Sequence, residues 1–235
     1  MSEHSIYQDI ALRTGGDIYI GVVGPVRTGK STFIKRFMEA LVLPNIAAGY
    51  VRDRARDEMP QSAAGKTVMT TEPKFIPDEA VPIIIDDCAS LRVKMIDCVG
   101  YIVPEALGTI ENGQPRMVHT PWQEEPMPFV EAAETGTHKV ITEHSTIGML
   151  VTTDGSIGEI GRESYVDAEQ RVVNELKELG KPFAVILNSA NPSSDSAVAL
   201  AYELWRWSTA WSLTRRIYDT FSSWCCTSSR SLRCA

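Results

Sequence analysis

Ile18-Tyr-Ile-Gly-Val-Val23, followed by Gly24-Pro-Val-Arg-Thr-Gly-Lys-Ser31 and the stretch to Leu43, decides the fold. The first six residues are a short, apolar, β-branched run, the pattern of a buried parallel strand. The next eight satisfy G-x-x-x-x-G-K-[ST] at every position. From Ser31 onward Phe33, Ile34, Phe37, Met38 and Leu41 recur at helical spacing, and Pro44 is expected to end that helix. Strand, glycine loop and helix in this order predict a phosphate-binding loop. Gly24 turns the backbone out of the strand, Pro25, Val26, Arg27 and Thr28 span the loop, and Gly29 allows the main chain to approach a phosphate closely. The loop's amide groups and the positive end of the helix then bind the anion. Lys30 is expected to reach the β- and γ-phosphate oxygens, Ser31 to offer its hydroxyl to Mg²⁺, and Thr32 to contact the α-phosphate.

Downstream, Val93-Lys-Met-Ile-Asp97-Cys-Val-Gly100 reads as a strand ending in D-x-x-G. Such an aspartate holds Mg²⁺ through a water, and the glycine lets a backbone N–H face the γ-phosphate. Between the two motifs lies Met69-Thr70-Thr71-Glu72-Pro73. A loop threonine in this place can close over the γ-phosphate and Mg²⁺ and relax after hydrolysis. Thr70 and Thr71 are therefore candidate catalytic residues with Lys30 and Asp97.

Two positions depart from guanine-specific switch proteins, which carry Asn-Lys-x-Asp after a buried strand. Here Phe183–Leu187 runs into Asn188-Ser189-Ala190-Asn191. Asn188 is kept as a nucleotide-site candidate, but an amide at Asn191 cannot offer two acceptors to guanine's paired donors, so adenine becomes plausible. Tyr101 stands where a water-orienting glutamine often follows the D-x-x-G glycine. Arg52, Arg54 and Arg56 read either as a solvated face or as an arginine finger. His4, His119, His138 and His144 show no metal-ligand spacing.

The remaining pattern alternates strands and helices. Lys74–Ile85 and Leu91–Cys98 read as an antiparallel pair with the proline-bearing strand at the edge. Residues 45–71 read as a long, mobile loop with room for a helical turn, and residues 101–127 as a loop excursion. Helices are expected over 3–14, 129–143, 163–179 (Val166, Val172, Val173, Leu176 and Leu179 inward) and from Asp195 or Ser196 to about Leu204, with strands at Ile147–Thr152 and Phe183–Leu187. The prediction is a three-layer α/β P-loop NTPase fold, with a mostly parallel sheet and one antiparallel edge strand. The P-loop domain is expected over 1–204.

The 235 residues carry a net charge of −7, which argues against nucleic acid as a partner. No run approaches the length of a membrane span, and five unevenly placed cysteines do not read as a disulfide framework. A soluble, cytoplasmic protein is expected. Residues 205–235 fit no element, although they hold four of the five tryptophans and three of the five cysteines. They read either as an aromatic partner surface or as unselected sequence replacing a natural continuation, such as a frame error leaves, and are expected to be poorly ordered.

Five segments together resemble the stage IV sporulation protein A family, the spore-coat morphogenetic ATPases of endospore-forming bacteria. They are Gly24–Thr32, Met69–Pro73, Val93–Gly100, Glu143-His-Ser-Thr-Ile-Gly148 and Leu187-Asn-Ser-Ala-Asn-Pro192, within a resemblance over about 1–201. The resemblance implies ATP and Mg²⁺ as cofactors and a fold related to translation-factor GTPases. It also implies self-association into a polymer at the forespore surface in the mother cell. A small amphipathic membrane-anchoring peptide and other spore coat proteins would be the partners.

Overall fold

The computed structural model describes residues 17–46, 49–60, 72–85, 89–207 and 233–234. The expected helix over 3–14, Thr70, Thr71 and most of the C-terminal tail lie outside the described residues.

The chain enters the sheet as β1 (Asp17–Val23) and leaves it through the glycine loop into α1 (Lys30–Phe37). The helix continues as a π-helical turn over Met38–Val42 and a 3-10 turn over Leu43–Asn45, so Pro44 sits in the closing turn. α2 (Tyr50–Asp57) follows, then β2 (Lys74–Ile85) and β3 (Ala89–Asp97). Two small hairpins come next, β4 (Ile110–Glu111) with β5 (Gln114–Pro115), and β6 (Met117–Thr120) with β7 (Gln123–Pro128). α3 (Phe129–Lys139), β8 (Ile147–Thr153), α4 (Val166–Glu178), β9 (Phe183–Asn188) and α5 (Asp195–Trp205) complete the alternation, and β10 (Arg233–Cys234) closes the order.

The main sheet runs β10-β9-β8-β1-β3-β2. β9, β8, β1 and β3 are mutually parallel, while β2 is antiparallel to β3 at the edge, as its prolines predict. The register between β2 and β3 slips between Ile76 and Val81, over the stretch containing Pro77.

Side-chain alternation along the buried strands builds two cores. Ile20, Val22, Met149, Val151, Ala184 and Ile186 face Phe33, Ile34, Phe37 and Met38 of the first helix. Leu150, Phe183, Val185 and Leu187 face Val172, Val173 and Leu176 of α4, Leu204 of α5, and Val140 and Ile141 beyond α3. The central strands β8 and β9 are buried along their whole length, which is why they read as continuous apolar runs.

Several expectations are corrected. The polar stretch after Asn45 holds a two-turn helix, α2, because Ala55 packs into the core while Arg52 donates to the Ile46 carbonyl and Arg54 pairs with Glu58 and Asp78. Within the arginine cluster, Arg54 is thus committed to local ion pairs and Arg52 to a backbone carbonyl. Residues 101–127 hold the two hairpins. Val166 and Leu179 are exposed rather than inward, since a 3-10 turn over Arg162–Tyr165 precedes α4 and shifts its apolar face. The cap of α5 is Ser194, whose hydroxyl accepts from the Ala197 amide. The helix reaches Trp205, and Trp205 and Trp207 pack against the second core. The tail, read as fitting no element, also supplies β10, antiparallel to Leu187 and Ile186.

Glu169 is fully buried beneath β8, where Arg162 grips it with two hydrogen bonds of 2.5 and 2.7 Å and the Thr152 hydroxyl adds a third. Removing one partner of a buried pair strands the other charge, at a cost of about 3–5 kcal/mol. Arg162→Ala should lower stability by about 3 kcal/mol in urea unfolding, against less than about 0.5 kcal/mol for Lys139→Ala, which breaks an i,i+4 pair at the surface. Equal losses would show that Glu169 is not held by Arg162.

Candidate functional site

The phosphate loop and the D-x-x-G segment meet at one end of the parallel strands. β1 and β3 pair in register through Val22 and Asp97, so the turns that follow them leave the sheet side by side. Backbone hydrogen bonds then join the turns. The Tyr101 amide donates to the Gly24 carbonyl (3.2 Å), and the Val26 amide donates to the Tyr101 carbonyl (2.9 Å).

Inside the loop, Thr28 is buried and its hydroxyl donates to the Pro25 carbonyl. Gly29 and Arg27 both adopt positive φ, 94° and 64°. A side chain at Gly29 would meet Asn188 Nδ2 at 2.3 Å. That amide nitrogen donates to the Thr28 carbonyl at 3.1 Å. Asn188 is thus a brace for the loop, reaching across from the end of β9.

Lys30 opens α1 and is almost wholly buried. Its ammonium donates to the Pro25 carbonyl at 2.5 Å and the Gly24 carbonyl at 3.4 Å. Burial pushes its pKa down, against the pull of Cys98 and Asp97. Burial pushes Asp97 up, against a hydrogen bond from Ser31 and the attraction of Lys30. Both groups are therefore driven toward neutrality by the same dry surroundings, the condition that a phosphate and a cation would relieve. Ser31 Oγ donates to Asp97 Oδ2 at 2.8 Å, and among the described residues the buried Asp97 Oδ1 finds no hydrogen-bond partner. A hydroxyl and a carboxylate with one unsatisfied oxygen form a hard-oxygen donor set that fits Mg²⁺. Among the described residues, no group of three or more His, Cys, Asp or Glu side chains could hold a metal by itself. Thr32 lies on the first turn of α1, half-buried.

Gly100 has φ 95°, and a Cβ there would meet the Gly24 carbonyl oxygen at 2.2 Å and Lys30 Nζ at 2.5 Å. Its amide donates to the buried hydroxyl of Thr137 at 3.1 Å. No sequence pattern marks Thr137, since one threonine in a helix has no period. Tyr101 turns away from the loop. Its ring is buried under the Arg171 guanidinium (4.1 Å), and its hydroxyl donates to the Glu175 carboxylate (2.7 Å). Burial, then Glu175, raise its pKa well above the tyrosine range. The position that a water-orienting glutamine often takes is here a structural anchor.

At the end of β9, the Asn191 amide donates to Ser189 Oγ, and Asn191 itself is exposed. Asp154, just after β8, braces this turn through Ser156, whose hydroxyl accepts from the Ala190 amide. Burial works to raise the Asp154 carboxyl, but hydrogen bonds from Ser156 and Ser189 outweigh it and hold the group low. No helix among the described residues is long and apolar enough to cross a membrane.

Comparison with known proteins shows what the chain is similar to. Residues 1–213 match the family described as stage IV sporulation protein A, ATPase domain. The chain is 62% identical over 192 residues to a stage IV sporulation protein A from Bacillus anthracis, covering 82% of this chain and 39% of the relative. It is 58% identical over 204 residues to that of Bacillus subtilis (87% and 42%), and 60% over 201 residues to that of Clostridioides difficile (86% and 41%). It thus spans about two fifths of the length of these relatives.

The crowding at Gly100 is directly testable. Gly100→Ala should lose about 1–3 kcal/mol of stability from its strained φ and should weaken binding of a fluorescent ATP analogue. Gly158→Ala, with open space around its Cβ, should change neither. Unchanged binding in the Gly100 variant would mean that the D-x-x-G turn does not shape the site.

Proposed function

The chain belongs to the family of stage IV sporulation protein A ATPase domains, and from that premise we propose that it binds and hydrolyses ATP with Mg²⁺ to drive a conformational step in assembly of the spore coat base layer. The single observation that carries the reading is the Ser31–Asp97 contact beside the buried Lys30, with one Asp97 oxygen left unsatisfied by the described residues. Lys30 binds the β- and γ-phosphates, exchanging its contacts with the Pro25 and Gly24 carbonyls for phosphate oxygens. The loop from Gly24 to Thr32 wraps the phosphates, with Asn188 fixing the conformation of the Thr28–Gly29 peptide. Ser31 and Asp97 hold Mg²⁺, which supplies neutralisation of charge developing on the transferred phosphoryl group. Thr70 and Thr71 close over the γ-phosphate, and Gly100 presents its N–H there.

A second reading follows from Tyr101. Its side chain is committed to Glu175 and Arg171, so the residue after D-x-x-G does not orient water. A nucleotide-stabilised switch or scaffold with little intrinsic turnover fits that arrangement, with the missing group supplied by a partner.

The partners are those of the family resemblance: further copies of the protein in a polymer, a small amphipathic membrane-anchoring peptide, and other spore coat proteins. The location is the mother-cell cytoplasm at the forespore surface.

Phosphate release from ATP and from GTP, measured side by side, separates the readings. ATP turnover should be at least as fast as GTP turnover, since Asn191 lacks paired acceptors for guanine, and Lys30→Ala should abolish it. Release unchanged in the Lys30 variant would exclude this site as the active one. Faster release from GTP would show that guanine is read elsewhere.

A further inference from the structure

Gly100 packs against the Lys30 ammonium so closely that no side chain fits between them. Its amide nevertheless points the other way, into the protein, to Thr137 Oγ1. Thr137 is fully buried on α3, and its own hydroxyl proton goes to the Ala133 carbonyl at 2.8 Å. The neighbouring Cys98 thiol also interacts with Thr137 while donating to the Val22 carbonyl. The hydroxyl oxygen is thus aimed at a single main-chain donor, the one that the D-x-x-G segment would turn toward a γ-phosphate.

We propose that Thr137 is a positioning residue that competes with the γ-phosphate for the Gly100 N–H, so that the site's preference for ATP over ADP is set partly by a hydroxyl on α3. This rests on the ATP-site reading above and names what regulates that site.

The geometry favours an exchange confined to one peptide. Asp97 is held by Ser31 on one side of Gly100, and Tyr101 is clamped on the other by the Gly24 carbonyl, Glu175 and Arg171. With both flanks fixed, rotation of the Val99–Gly100 peptide is the available motion, and glycine tolerates it where other residues do not. A γ-phosphate draws the N–H away from Thr137, because a hydrogen bond to a charged oxygen is stronger than one to a neutral hydroxyl. Thr137 is then released from the nucleotide side. Its helix also carries Glu134 and His138, which contact Arg171 and Glu175 of α4, so the exchange reaches both helices on this face of the sheet. ADP, without a γ-phosphate, leaves the Thr137 bond in place.

The test is the ratio of ADP to ATP dissociation constants, read with ADP and a non-hydrolysable ATP analogue on the full chain. Thr137→Val keeps the shape and removes the hydroxyl acceptor, leaving the Gly100 N–H only the weakly accepting Cys98 sulfur unless a γ-phosphate is present. It should tighten the ATP analogue about fivefold, equivalent to about 1 kcal/mol, and leave ADP unchanged. Thr137→Ser restores the hydroxyl and should return the ratio to that of the unaltered chain. A merely structural role would shift both nucleotides together, with a fall in melting temperature, and that result overturns the proposal. So does an unchanged ratio in Thr137→Val. If the unaltered chain binds neither nucleotide, the site reading fails first and this inference with it.

Discussion

The hydrogen bond between Ser31 and Asp97 is the interaction on which the site depends. It joins the first turn of α1 to the end of β3, two pieces 66 residues apart in the chain. It forms because β1 and β3 lie parallel and in register, so that a glycine turn and an aspartate emerge at the same end of the sheet. The Gly24–Tyr101–Val26 hydrogen bonds fasten the same two turns from the other side. Slippage of β1 against β3 by one residue would move every side chain to the opposite face and part the two motifs. The two cores, one on each face of the sheet, are what forbid that slippage.

Electrostatics at this junction are poised rather than satisfied. Lys30 and Asp97 are both driven by burial toward their neutral forms, and one Asp97 oxygen has no partner among the described residues. Buried charges of this kind are costly to hold and are characteristic of functional sites. The loop's own carbonyls serve as acceptors for Lys30, and Thr137 serves the Gly100 amide. Each contact is one that a phosphate oxygen can replace, so ligand binding requires exchange of hydrogen bonds and little movement of the sheet.

Much of this was legible in the sequence because it rests on short-range chemistry. The parallel strands showed as apolar β-branched runs, the phosphate loop as glycines at fixed offsets, and Asp97 as a strand-end acid before a glycine. What was hidden depends on contacts between distant residues. Tyr101 looked like a missing glutamine until Glu175 and Arg171 accounted for its burial. Asn188 looked like part of a degenerate base-reading motif, whereas its amide braces Thr28. The helix Tyr50–Asp57 exposes Tyr50 and Val51 and buries Ala55 alone, so apolar periodicity had nothing to register. The hairpins between Ile110 and Pro128 are mostly exposed strands of two to six residues, too short to alternate. At the C-terminal end, Trp205 and Trp207 find core contacts that no local period announces.

The proposed Mg²⁺ site at Ser31 and Asp97 would complete the nucleotide pocket. The most direct measurement is the affinity for a non-hydrolysable ATP analogue with and without Mg²⁺, in the unaltered chain and in Asp97→Asn. Mg²⁺ should tighten binding in the unaltered chain, and this gain should fall by about tenfold or more in Asp97→Asn, while Mg²⁺-free binding persists. An equal gain from Mg²⁺ in both proteins would contradict the assignment of that site.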